Sequence, residues 1–205
     1  MKIAILTLRF ETNYGCLLQA YALQTALERL GHKVEHLQPQ PWFLHLHPAW
    51  QMPFVWVKRL YRKYLCGDRK LPVLENPYNW IRKYTDKFIE NNIHCRYLEE
   101  KEWGTGLGGD YDFCVVGSDQ VWRPRFALNL GQFFLNFLDG ANTGRISYSA
   151  SFGVEYDEYS GEERAMARSL MPMFNAVSVR EESGIKLCRE IFGIDAVCTL
   201  DPTML

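Results

Sequence analysis

The stretch from Lys2 to Leu37 constrains the fold more than any other part of the chain. Lys2 to Leu8 is almost continuously apolar and too short for a helix, which predicts a strand buried on both faces. Thr12-Asn13-Tyr14-Gly15 is a turn signal. Cys16, Ala20, Leu23, Leu27 and Leu30 then recur at spacings of four and three, which puts them on one helical face. Gly31 suits the position just past a helix end, and Val34 to Leu37 reads as a second strand. This β-α-β unit predicts a parallel sheet with right-handed crossovers.

The same alternation resumes further on. Asp112–Val116, Arg145–Ser151, Ala176–Val179 and Ala196–Leu200 read as strands, and Glu162–Phe174 and Glu182–Phe192 as helices, the last closed by Gly193. This is the pattern of an α/β domain with a Rossmann-like, doubly wound parallel sheet. Between about residues 39 and 100 the pattern changes. Pro39, Pro41, Pro48 and Pro53 interrupt the chain, Phe54–Leu65 mixes aromatic and basic residues, and Tyr78–Ile89 is amphipathic. This span reads as a helical insertion between strands.

Composition narrows the function class. The 205 residues are 47% hydrophobic and 23% charged, with a net charge of −1. That is an ordinary globular balance, with no overall field to draw nucleic acid or a membrane surface. No run of about 18 apolar residues is present. The six cysteines, Cys16, Cys66, Cys95, Cys114, Cys188 and Cys198, are scattered without a C-x-x-C, which fits reduced thiols better than disulfides or a metal site. His45 and His47 lie two apart in a Pro-rich stretch, but nothing supplies further ligands, so no metal and no cofactor are expected. The basic, aromatic stretch from Trp56 to Tyr64 would suit a membrane surface or a lipid-linked saccharide. An amphipathic helix packed on the domain is the plainer reading.

In open parallel sheets, ligands bind beyond the carboxyl ends of the strands. Four polar clusters are expected at that edge: Asn13/Tyr14/Gly15, Ser118/Asp119/Gln120, Ser149/Ser151 and Arg180/Glu181. Asn13 reads either as a helix N-cap or as part of an anion or sugar site. Asp119 could accept a proton from a sugar hydroxyl, or cap the next turn while Trp122 fills the core. Arg180 could hold a phosphate or carboxylate bidentately, or pair with a nearby carboxylate. Glu181 suits a first helical turn as well as it suits catalysis. Gly104-x-Gly106-x-x-Gly109 matches a dinucleotide fingerprint on paper, but it precedes a strand and opens no helix, so it is read as a loop.

Taken together these segments resemble the polysaccharide pyruvyl transferase family. The resemblance rests on Asn13-Tyr14-Gly15-Cys16-Leu17-Leu18-Gln19-Ala20-Tyr21-Ala22-Leu23 and on Tyr111-Asp112 leading into Val116-Gly117-Ser118-Asp119-Gln120-Val121-Trp122. It extends to Ser149-Ala150-Ser151-Phe152-Gly153, Ser178-Val179-Arg180-Glu181 and Asp201-Pro202-Thr203. It implies a glycosyltransferase-B-like fold of two Rossmann-like domains, of which this chain would be the N-terminal half. It also implies transfer of pyruvate from phosphoenolpyruvate to a saccharide acceptor, as a ketal bridging two hydroxyls. Asp119 and Arg180 are then the catalytic candidates. Asn13, Tyr14, Gly15, Ser118, Gln120, Ser149, Ser151 and Glu181 are the substrate-binding candidates.

Because such enzymes draw much of the donor site from a second domain, the 205 residues alone are expected to be inactive or to bind one substrate weakly. A cytoplasmic location, perhaps at the inner membrane face, is the accompanying expectation. A glycosyltransferase with a nucleotide-sugar donor, or a non-catalytic sugar-binding module, would fit the same fold.

Overall fold

The computed structural model describes residues 1–40, 57, 77–104, 106–127, 129–138 and 140–205. The Phe54–Leu65 pattern, the His45/His47 pair, the Trp56–Tyr64 surface and Cys66 therefore lie outside the described residues, Val57 apart.

Among the described residues, seven parallel strands form one sheet: β1 (Lys2–Leu6), β2 (Lys33–Pro39), β3 (Cys95–Leu98), β4 (Phe113–Val116), β5 (Gly144–Ala150), β6 (Ala176–Val179) and β7 (Val197–Cys198). Their order is β3-β2-β1-β4-β5-β6-β7. β1 is central, with Ile3 opposite Val34 on one side and Phe113 on the other. The chain winds outward from β1 in one direction through β2 and β3, then returns and winds outward the other way from β4. The gap between β1 and β4 is thus the topological switch point, where a parallel sheet opens a crevice.

The apolar strand runs divide between two cores. On one face α1 (Tyr14–Arg29) lays Leu23 on Ile3, Ile5, Val34 and Val115. On the other, Ala4, Leu6, Cys114 and Val116 meet the long β4–β5 connection, α3 (Gly161–Leu170) and α4 (Glu182–Leu187). α2 (Pro77–Asn92) sets Ile89, and Ile93 just past its end, against Cys16, Leu17 and Ala20 of α1. Trp122 anchors the second core. It is fully buried, stacked on Phe134 at 6.0 Å, and in ring contact with Phe152 and Phe192 at 5.6 and 5.5 Å. Its Nε1–H donates to the Phe133 carbonyl at 3.2 Å.

The expected elements appear with shifted ends. β3 lies inside the span read as a helical insertion. It is a four-residue edge strand whose Arg96 and Tyr97 offer no apolar period. The helix expected to run to Phe174 leaves α geometry at Leu170, where Pro172 turns the chain into a 3₁₀ segment. The helix over 182–192 is α-helical to Leu187 and continues as a π-helical turn, Cys188–Phe192. The last strand is only two residues long. Gly106 opens a short 3₁₀ turn ahead of β4, as its loop reading requires. The five described cysteines are all free thiols.

Candidate active site

Each strand end at the switch point opens into a polar segment. After β1, Leu8-Arg9-Phe10 is held by the side chain of Gln38 at the end of β2. The Gln38 Oε1 accepts from Phe10 N at 3.1 Å and its Nε2 donates to the Leu8 carbonyl at 3.4 Å. Asn13 then caps α1, its Oδ1 accepting from Gly15 N at 2.9 Å and Cys16 N at 3.4 Å. The capping reading of Asn13 is therefore realised in the fold, while Tyr14 stands 57% exposed beside it.

After β4, Gly117 adopts φ +130°, and a Cβ there would sit 2.1 Å from the Tyr148 carbonyl oxygen, so only glycine fits. The Gly117–Ser118 peptide is cis. Ser118 is buried and donates to Gln19 Oε1 of α1 at 3.3 Å. Asp119 is half-buried. Its Oδ1 accepts from Gln120 N at 2.8 Å, and its carbonyl accepts from Val121 N and Ser151 N at 2.7 and 3.0 Å. Its carboxylate lies beside Cys16 in the first turn of α1. Burial, reinforced by this carboxylate, pushes the Cys16 thiol well above the ordinary thiol range. Cys16 is thus a neutral S–H rather than a nucleophile.

After β5 the ladder to β6 shifts register between Ser147 and Ala150, and Ser149 adopts φ +51°. Ser149 is wholly buried and donates to the Thr199 carbonyl at 3.3 Å. Its N–H donates to Ser178 Oγ at 2.9 Å, which also accepts from Thr199 Oγ1 at 2.9 Å. These hydroxyls form a ladder that ties β5, β6 and the segment after β7 together. Ser151 donates to Glu181 Oε1 at 2.7 Å, and the same oxygen accepts from Phe152 N at 3.1 Å. Arg180 Nε lies 3.6 Å from Glu181 Oε2, and an Arg180 terminal nitrogen lies 3.3 Å from Asp201 Oδ2. Asp201 opens the turn Pro202–Met204, which packs against α1. The chain after β7 thereby runs back across the carboxyl edge of the sheet.

The ten candidate residues fall into two connected groups. Asn13, Tyr14, Gly15, Ser118, Asp119 and Gln120 surround the first turns of α1. Ser149, Ser151, Arg180 and Glu181 line the ends of β5 and β6. The Ser151 N to Asp119 O hydrogen bond joins them, and so does Gln120, which lies so close to Gly153 that any side chain there would meet its amide. Arg180 is the charged centre of the second group, shared between two carboxylates. Thr7, Arg9, Cys16, Gln19, Tyr148 and Asp201 also belong to this edge, although the sequence reading left them out of the site. Arg9 had a visible signal, as a lone cation directly after an apolar strand. The others could be found only once the strand order was known. Among the described residues, no group of three His, Cys, Asp or Glu could hold a metal, and no helix is long and apolar enough to cross a membrane.

An all-parallel sheet wound both ways from β1, with its polar loops gathered at the carboxyl edge, defines a Rossmann-like α/β domain. The model of the polysaccharide pyruvyl transferase family matches residues 13–205, nearly the whole chain, and the chain belongs to that family. The family is one of transferases, and its members act on a polysaccharide acceptor. Among curated proteins, none matches the chain significantly.

Proposed function

We propose that the protein takes part in transfer of a pyruvyl group from phosphoenolpyruvate to a saccharide of a surface or extracellular polysaccharide, and that the switch-point edge carries its share of the site. The observation that supports this most is the meeting of the half-buried Asp119 carboxylate with the first turn of α1, in a chain of this family.

The chemistry asks for few groups. A proton added to the methylene carbon of phosphoenolpyruvate leaves the adjacent carbon electrophilic. A sugar hydroxyl attacks that carbon and gives up its proton. A second hydroxyl then displaces the phosphate, which departs with the remaining proton, and the pyruvate bridges two sugar oxygens as a ketal. Asp119 is the residue suited to accept the hydroxyl proton. Arg180 is suited to an anionic oxygen, because a guanidinium has five N–H donors and its two carboxylate contacts here are long. Gln120, half-buried beside Asp119, is suited to a hydrogen bond with the saccharide, whereas Ser118 is buried and commits its hydroxyl to Gln19.

Phosphorus NMR tests the donor assignment. Addition of the protein is expected to broaden the phosphoenolpyruvate resonance and to leave nucleotide-sugar diphosphate resonances sharp. Broadened diphosphate resonances beside a sharp phosphoenolpyruvate signal would move the function to glycosyl transfer on the same fold.

A further inference from the structure

Among the described residues, Arg9 is a cation at the carboxyl end of β1 that no carboxylate has claimed. Arg123 holds Glu158 at 2.9 Å, and Arg180 is shared between Glu181 and Asp201. Among the described residues Arg9 has no ion pair, and its Nε is buried without a hydrogen-bond partner. Its backbone is fixed all the same. The residues on either side are clamped by Gln38, and the Cys16 thiol approaches the Leu8 carbonyl at 3.8 Å. The arginine is thus held between the end of β2 and the start of α1.

A second observation lies two residues earlier. Thr7 is only 3% exposed, yet its Oγ1 also lacks a partner. Along β1, Ile3 and Ile5 pack beneath α1 while Ala4 and Leu6 enter the opposite core, so Thr7 continues the α1-facing series at the carboxyl end of the strand. A buried guanidinium N–H and a buried hydroxyl without acceptors are each costly unless a ligand completes them. Both follow the carboxyl end of β1, the central strand that borders the switch point.

We propose that Arg9 is an anion ligand which, with the Thr7 hydroxyl, takes a carboxylate or phosphate oxygen of the donor at this edge. The identity of that donor rests on the pyruvyl-transfer reading; the anion site itself does not.

Calorimetric titration of the wild-type chain and of Arg9→Met, Arg9→Lys and Thr7→Val, with phosphoenolpyruvate, inorganic phosphate and a nucleoside-diphosphate sugar, tests it. Loss of a charge-assisted contact corresponds to binding about 10- to 100-fold weaker in Arg9→Met. Arg9→Lys should fall between, because it keeps the charge but loses the fork. The unliganded melting temperature of Arg9→Met should stay level or rise, since a buried N–H without a partner has gone. A merely structural arginine would lower it.

Weakening of phosphoenolpyruvate and phosphate in Arg9→Met supports the site. Weakening of the nucleoside-diphosphate sugar alone supports the site and removes the pyruvyl-transfer donor. Phosphoenolpyruvate that binds equally tightly to wild type and Arg9→Met, with neither of the other two ligands weakened, overturns the Arg9 assignment and leaves that donor standing. Overturning it as well would be a lowered unliganded melting temperature in Arg9→Met, or a wild-type chain that binds none of the three.

Discussion

Replacing Trp122 separates the structural part of the Gly117–Trp122 string from its chemical part. The indole is fully buried among Phe134, Phe152 and Phe192, and its N–H donates to the Phe133 carbonyl. Its backbone holds the same region, since Trp122 N donates to Ser151 O at 3.2 Å and Tyr159 Oη donates to Trp122 O at 2.6 Å. Truncating a buried aromatic of this kind to alanine costs about 3–5 kcal/mol. Trp122→Phe keeps a ring in the stack but leaves the Phe133 carbonyl without its donor, at about 1–3 kcal/mol. For a domain of this size each kcal/mol moves the melting temperature by about 2–4 °C. Trp122→Ala should therefore fall by roughly 6–20 °C and Trp122→Phe by roughly 2–12 °C. The assay is thermal unfolding followed by circular dichroism, with urea unfolding to check that the slope is unchanged. A shift below about 2 °C for Trp122→Ala, or equal losses in both variants, would refute the reasoning.

Three further outcomes follow from the same geometry. Gly117→Ala should destabilise by about 3 kcal/mol or more, because it combines φ +130° with a Cβ 2.1 Å from a backbone oxygen, and a urea midpoint measures it. Ser178→Ala should cost about 1–3 kcal/mol, since Ser149 N and Thr199 Oγ1 both lose their acceptor; an unchanged midpoint would dissolve the hydroxyl ladder as a stabilising feature. His36 is wholly buried on β2, and burial pulls its pKa from 6.5 down to about 3. The unfolded chain takes up a proton below about pH 6.5 that the folded chain refuses, so this contribution is intact above pH 6.5 and drains away as pH falls toward 3. His36→Leu should flatten the urea midpoint between pH 7.5 and pH 5, and an unaltered slope with pH would contradict the assignment.

Much of the fold was legible because β1, α1 and β2 carry their periods in apolar residues. Ile3 to Leu6 are buried on both sheet faces, and Cys16, Ala20 and Leu23 line one side of α1. β3 was hidden because a four-residue edge strand buries too little to leave an apolar pattern. Part of the site was legible for a similar reason. Polar residues at strand ends stand out against the apolar runs before them, which is what makes Asp119 and Arg180 candidates. A carboxylate pairing of Arg180 was readable as an alternative, but the identity of these partners was not. Nothing in the sequence joins Arg180 to Asp201, or brings Cys16 beside Asp119, because these contacts depend on strand order and on the chain returning across the sheet edge. Arg9 and Thr7 were overlooked because a predicted strand running to Leu8 absorbed one residue and ended just short of the other.

The central claim is that this edge serves a phosphoenolpyruvate-dependent transferase, and a ligand-dependent melting shift tests it most directly. At a hundred times its dissociation constant a ligand stabilises the folded state by about 2.7 kcal/mol, which is about 5–11 °C for a domain of this size. A shift of that order with phosphoenolpyruvate, and none with a panel of nucleotide-sugars, is the predicted result. A shift with a nucleotide-sugar and none with phosphoenolpyruvate would contradict it.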